Sequence, residues 1–219
     1  MGVYSDKPLR RLPSIPRVEY PLEMTSLDSL IDYIKSGVDT MLTEMLLSVV
    51  SPTRVVLESG LNPERERETL ARVSAVIPDF SFNQFVEKEK FNIGLQSNCI
   101  GDGSTDKDLL LKFTGTVEAG TIAQYGDDGV SQKATIKTGI ASKSEALVPN
   151  PVTLKPYRTF IEVDQPSSEF VFRMKETHGE ILCAIYEADG GAWEMEARKN
   201  IKSYLEKGLT GLKGFTVLC

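Results

Sequence analysis

One histidine, three cysteines and one tryptophan in 219 residues leave little of the usual catalytic and metal-binding chemistry. With His178 as the sole histidine, an HExxH pair is excluded, and any Ser-His-Asp or Cys-His arrangement would have to use that one position. Cys99, Cys183 and Cys219 are far apart, odd in number and without CxxC spacing. They argue for a reducing compartment and against a disulfide framework or a structural zinc site. A basic excess is also lacking: the formal net charge is −6, which opposes non-specific binding to duplex nucleic acid. No apolar run approaches the roughly 18 residues that read as a membrane span, and the N-terminus has neither a signal-peptide core nor the Ser or Thr of a myristoylation signal, Asp6 standing in its place. A cytosolic protein, with no membrane and no nucleic acid among its partners, is the expectation.

What is present is ordinary globular composition, 41% hydrophobic and 26% charged. Residues 1–24 hold Pro8, Pro13, Pro16 and Pro21, so they read as an extended arm. Arg10, Arg11 and Arg17 make the arm locally basic, and a solvated tail accounts for them. Helical periodicity then starts at Leu27, Leu30, Ile31 and Ile34, with Ser26 as N-cap and Gly37 as stop. Met45 to Val50 and Arg54 to Glu58 read as a hairpin. Pro63 is positioned to open a charged helix from Glu64 to about Val73. Two further helices are expected, one with Phe91 and Leu95 on its inner face and one from Thr105 to Phe113.

The second half changes period. Val130, Ala134, Ile136 and Ile140 alternate with polar residues, and the turn Gly126-Asp127-Asp128-Gly129 pairs that strand with Gly115 to Tyr125. In the block from Val152 to Lys207, strands are expected at Thr159 to Val163, Glu169 to Lys175 and Ile181 to Glu187, the last two joined by a His178-Gly179 turn. A helix with Trp193, Ala197, Ile201 and Leu205 in one stripe follows, capped at Asp189. The sum is α+β: a largely antiparallel sheet with helices packed on one side and a Pro-rich N-terminal arm. Residues 25–114 form a helix-rich part with a hairpin, and residues 115–219 an antiparallel sheet followed by the C-terminal helix.

Candidate chemistry is thin. Asp127, Asp128, Glu187 and Asp189 are the carboxylates to watch for a divalent metal, since two or three converging carboxylates can hold Mg²⁺. Asp102 with Asp106 is a further pair, and solvated turn acids are the simpler reading of all of them. Arg158 and Arg173 lie in apolar, strand-like surroundings and are the candidate binding residues. Each is expected to pair with a carboxylate, Glu162 and Glu169 being nearest in sequence, and a structural ion pair is the simpler reading. No cofactor and no catalytic residue is indicated.

Four segments carry a resemblance: Tyr125 to Gln132 (YGDDGVSQ), Val148 to Leu154 (VPNPVTL), Arg158 to Pro166 (RTFIEVDQP) and Glu187 to Trp193 (EADGGAW). With them the chain resembles an uncharacterised family of bacteriophage and prophage proteins. The resemblance implies a phage origin and expression in the bacterial host cytoplasm, and it brings no catalytic residues. A non-enzymatic, self-assembling binding or structural protein is expected, a homo-oligomer with a phage or host protein as partner. The alternatives are a metal-dependent accessory enzyme of nucleic-acid processing and a small-ligand or nucleotide-binding counter-defence protein.

Overall fold

Two hydrophobic cores, not one, organise the chain. The computed structural model describes residues 18–39, 44–123, 132–137 and 143–219. The first core rests on a five-stranded sheet built from β1 (Leu22–Met24), β2 (Met45–Ser51), β3 (Arg54–Ser59), β4 (Thr69–Ser74) and β12 (Phe215–Leu218). Their order is β1-β4-β3-β2-β12. The middle strands are antiparallel, while β1 and β12 join the edges in parallel. Helices α1 (Leu27–Ser36) and α4 (Ala192–Gly208) pack on one face of it.

Local chemistry explains α1. Ser26 Oγ accepts the Ser29 N–H, Asp28 sits in the first turn, and Gly37 closes the helix at φ 61, a conformation glycine adopts without a Cβ clash. Leu27, Leu30, Ile31 and Ile34 are all buried, as the spacing predicts. The Met45–Ser51/Arg54–Ser59 hairpin also forms, with Leu47 opposite Leu57 and Val49 opposite Val55.

The second core draws on residues from Phe80 to Leu154 and again from Phe170 to Ile185, with Phe160 and Val163 of the first core between them. A four-stranded antiparallel sheet has the order β5-β11-β10-β9, from β5 (Val86–Glu87), β9 (Val152–Leu154), β10 (Ser168–Thr177) and β11 (Glu180–Glu187). A three-stranded antiparallel sheet joins β6 (Val117–Ala123), β7 (Lys133–Lys137) and β8 (Lys143–Leu147). Helices α2 (Lys88–Asn98) and α3 (Lys107–Thr116) fill this core through Phe91, Leu95, Leu110 and Phe113. His178 and Gly179 both take positive φ, 53 and 82, so they form the primed turn that the twist of a hairpin favours. The fold is therefore α+β and mostly antiparallel. The cores divide the chain at other places than a split after residue 114, since α3 runs straight into β6 and both belong to the second core.

Two expected elements are absent from where the sequence placed them. Residues 64–73 are not a helix: Asn62 Oδ1 accepts the Glu66 N–H to close a turn, and β4 follows. Ala71 and Val73 alternate with Arg72 and Ser74, and pairing with strands on both sides outweighs the helix propensity of the charged residues. Residues 159–163 are not a strand either. The buried side chain of Gln165 takes the place of a partner strand there. Its Oε1 accepts the N–H groups of Arg158 and Thr159, and its Nε2 donates to the carbonyls of Phe160 and Val163. The loop so closed drops Phe160 and Val163 into the first core. Of the stretch expected as an arm, residues 1–17 lie outside the described residues, and Leu22–Met24 is the sheet's edge strand.

Candidate functional site: a buried arginine between the two cores

Arg158 leaves β9 by a short loop and enters the seam between the cores, where its side chain is only 6% exposed. Burying a guanidinium demands partners for its charge and its donors. Glu187, at the end of β11, supplies the charge: its Oε1 accepts from Nη1 at 2.6 Å. Ser168 Oγ, at the start of β10, accepts from Nη2 at 2.5 Å. Three aromatic rings enclose the rest. The guanidinium carbon lies 5.8 Å from the Phe82 centroid, 5.4 Å from Phe170 and 4.0 Å from Trp193. The last distance is a close cation–π contact. Burial pulls the Arg158 pKa below its ordinary value, and the neighbouring Glu187 and Asp189 charges oppose that shift.

Asp189 sits beside this cluster in the turn before α4. Its Oδ1 accepts the Gly191 N–H at 3.0 Å. The N-cap position itself is Gly191, in the left-handed conformation at φ 81, so Asp189 shapes the turn ahead of the helix and is not its cap residue. Burial alone would raise the Asp189 pKa; the Ser168 hydroxyl, the Gly191 and Trp193 amides and the Arg158 charge bring it below its ordinary value.

The sequence-derived candidates are thus placed as follows. Glu187 and Asp189 flank Arg158 and serve it electrostatically. Asp127 and Asp128 lie outside the described residues. Among the described residues no three His, Cys, Asp or Glu side chains come close enough to hold a metal ion. The partner expected for Arg158 was wrong: Glu162 instead accepts the Leu27 N–H at the start of α1, and Glu169 is exposed on β10. Arg173 stands on the face of β10 opposite Phe172 and Met174, away from Arg158, and it too has a partner within the fold. Asp102 accepts from Ser104 in its turn and Asp106 accepts the Thr153 N–H, so both are structural. Ser168, Trp193 and Phe82 were not recognised as neighbours of Arg158, because their meeting with it is long-range and leaves no local pattern.

Elsewhere, a groove of about 470 Å³ lies between the 161–164 loop and α4. Three of its polar groups are already engaged, Glu162 on Leu27, Tyr204 on Asp28 and Asn200 on the Asp164 carbonyl, while Ser203 and Lys207 also line it. No arginine lines it. Both internal thiols are pushed away from the reactive thiolate form by burial, Cys99 up to about 11 and Cys183 up to about 12. Among the described residues, no helix is long and apolar enough to cross a membrane. No family model, no curated protein and no solved structure matches this chain.

Proposed function

We propose that this is a phage- or prophage-encoded protein that works by binding and self-assembly, without catalysis. The observation that carries the reading is the state of Arg158. It is the cation best placed to clamp a ligand, yet it is enclosed by three aromatic rings and already paired with Glu187 and Ser168. A site for a substrate keeps such donors accessible; a structural joint uses them. The surface supports binding instead. Tyr20, Val38, Val76 and Ile161 expose between 74% and 80% of their area on loops. The edge strand β12, paired only with β2 among the described residues, carries Leu218 half-exposed. The phage origin rests on the resemblance of the four segments named above.

Size-exclusion chromatography with light scattering at high micromolar concentration tests assembly. A mass at a small integer multiple of the 24.2 kDa chain is expected, and a strict monomer overturns that part. A nuclease assay with Mg²⁺ or Mn²⁺ tests the non-catalytic part; activity lost in Asp128→Ala would refute it.

A further inference from the structure

A strand at the edge of a sheet leaves a row of backbone donors and acceptors without a partner, and folds blunt such edges with charge, proline, shortness or a cover. The other edges here are blunted in these ways. On β9, Thr153 donates its N–H to Asp106 Oδ2 at 2.7 Å and accepts the Asp106 N–H at 2.8 Å, so the start of α3 closes that edge. β1 follows Pro21 and carries Glu23, β6 carries Glu118, and β8 carries Lys143 and Glu145. β5 is two residues long and runs straight into α2.

β12 is built differently. Phe215–Leu218 reads FTVL, with no charge and no proline. It pairs in parallel with β2, Phe215 opposite Met45, and Met45 donates its N–H to the Gly214 carbonyl. In a parallel ladder alternate residues turn both backbone groups to the neighbouring strand. That bond sets which residues do so: Thr216 turns its N–H and C=O to β2, while Phe215 and Val217 turn theirs to the open side. Among the described residues no strand stands there. The side chains alternate too. Val217 is buried in the first core and Phe215 packs partly buried against it, whereas Thr216 and Leu218 are exposed on the other face.

We propose that β12 pairs antiparallel with β12 of a second copy, across a two-fold axis at Thr216, joining two five-stranded sheets into one. The proposal rests on the self-assembly read above and names its surface. A two-fold interface is isologous, so the strand must complement itself. With the axis at Thr216, Phe215 stands opposite the second copy's Val217 and the reverse, and the outward backbone groups of both residues are used. Thr216 meets its own copy at the closer kind of position, with Cα atoms ~4.5 Å apart. Aromatic against β-branched, and threonine against threonine, are favourable cross-strand pairs. Moving the axis to Val217 would put Phe215 opposite Cys219 and Thr216 opposite Leu218, and would lose both. Neutrality selects the occupant. A charged strand laid on its own copy sets like charges side by side, and in a chain of net charge −6 this edge strand is uncharged throughout. A strand so short makes a weak, reversible joint.

Sedimentation velocity on the full chain across the micromolar range is the test. Thr216→Lys and Thr216→Glu each set like charges across the axis and are expected to weaken the dimer about tenfold or more. An equimolar mixture of the two should recover it as a hetero-pair, which also shows that both variants fold. A dimer that neither charge disturbs, or a mixture that does not recover, overturns this joint and leaves self-assembly through another surface standing. A monomeric unmodified chain overturns both. The axis is checked in a Cys219→Ser background, where Cys99 and Cys183 are buried. There Thr216→Cys should form a disulfide between chains under mild oxidation about tenfold faster than Lys199→Cys on α4, because only the first pair lies within disulfide reach. Equal rates overturn the proposed axis.

Discussion

Replacing either member of the Arg158–Glu187 pair should destabilise the fold, and the two replacements should be unequal. Removing one partner of a buried ion pair costs about 3–5 kcal/mol, because it strands a charge away from water. The strandings differ here. Glu187 is 33% exposed while Arg158 is 6% exposed, so water can take up a lone carboxylate far more easily than a lone guanidinium. Glu187→Ala leaves the cation with Asp189 as its remaining anion and is expected to cost about 3–4 kcal/mol. Arg158→Met keeps most of the volume and loses the cation–π contact with Trp193, worth about 0.5–2 kcal/mol, together with the Ser168 hydrogen bond, about 1 kcal/mol. With Glu187 rehydrating, a total near 2 kcal/mol follows. The double variant removes both charges and should sit close to Arg158→Met alone, giving a coupling of about 3 kcal/mol.

Urea unfolding followed by far-UV circular dichroism and by tryptophan emission measures all three. The emission is informative because Trp193 is the sole tryptophan and lies against this guanidinium. A loss below about 1 kcal/mol for Glu187→Ala, or additivity within ~0.5 kcal/mol in the double variant, would refute the reasoning, because it would mean the pair is not desolvated as a unit.

Three further outcomes are expected. With a thiol reagent at pH 8 the native protein should show one fast cysteine, the exposed Cys219, and three only after unfolding; a fast second thiol would contradict the buried states of Cys99 and Cys183. Gln165→Leu should cost roughly 3 kcal/mol in the same urea assay, since it leaves the buried N–H groups of Arg158 and Thr159 unpaired, each of which costs about 1–3 kcal/mol. On the alkaline side, Tyr33 is raised to about 12 by burial and its hydrogen bond to Asp39, and Tyr204 to about 12 by its hydrogen bond to Asp28. A raised folded-state value gives stability that is complete below the unfolded tyrosine value near 10 and is lost as the pH climbs toward 12. Tyr204→Phe should flatten that loss, and an unchanged alkaline profile would show that the Asp28 bond does not matter.

Where the determinants are local, the sequence was readable. Ser26, Gly37 and the 27-30-31-34 spacing lie within one helix, and His178-Gly179 lies within one turn. Arg158 was legible as a buried, paired residue from its apolar neighbours alone. Its partner was not, because Glu187 is 29 residues further on and reaches it only through the β10–β11 hairpin. The strand β4 failed for the same reason in reverse. The charges of residues 64–68 suggest helix locally, and only β1 and β3, one on each side, decide otherwise. The 159–163 loop shows a third kind of limit. Its composition suits a strand, but one glutamine side chain supplies the hydrogen bonds that a neighbouring strand would have supplied.

That loop also explains why an arginine stands at position 158. Leu154 belongs to the second core and Phe160 to the first, so the chain passes between the cores within a few residues. A later crossing runs from Glu187 at the end of β11 to Ala197 in α4, and Trp193 lies on it. Apolar packing at such a seam would hold the two crossings together without fixing their angle, because dispersion contacts have little direction. A guanidinium has fixed directions. Nη1 points at Glu187, Nη2 at Ser168, and its central carbon lies over the Trp193 ring, so one side chain sets β10, β11 and α4 relative to one another. Methionine at 158 keeps the volume and loses the directions. The double variant should therefore keep the stability of Arg158→Met while its Trp193 emission stays unlike that of the unmodified protein.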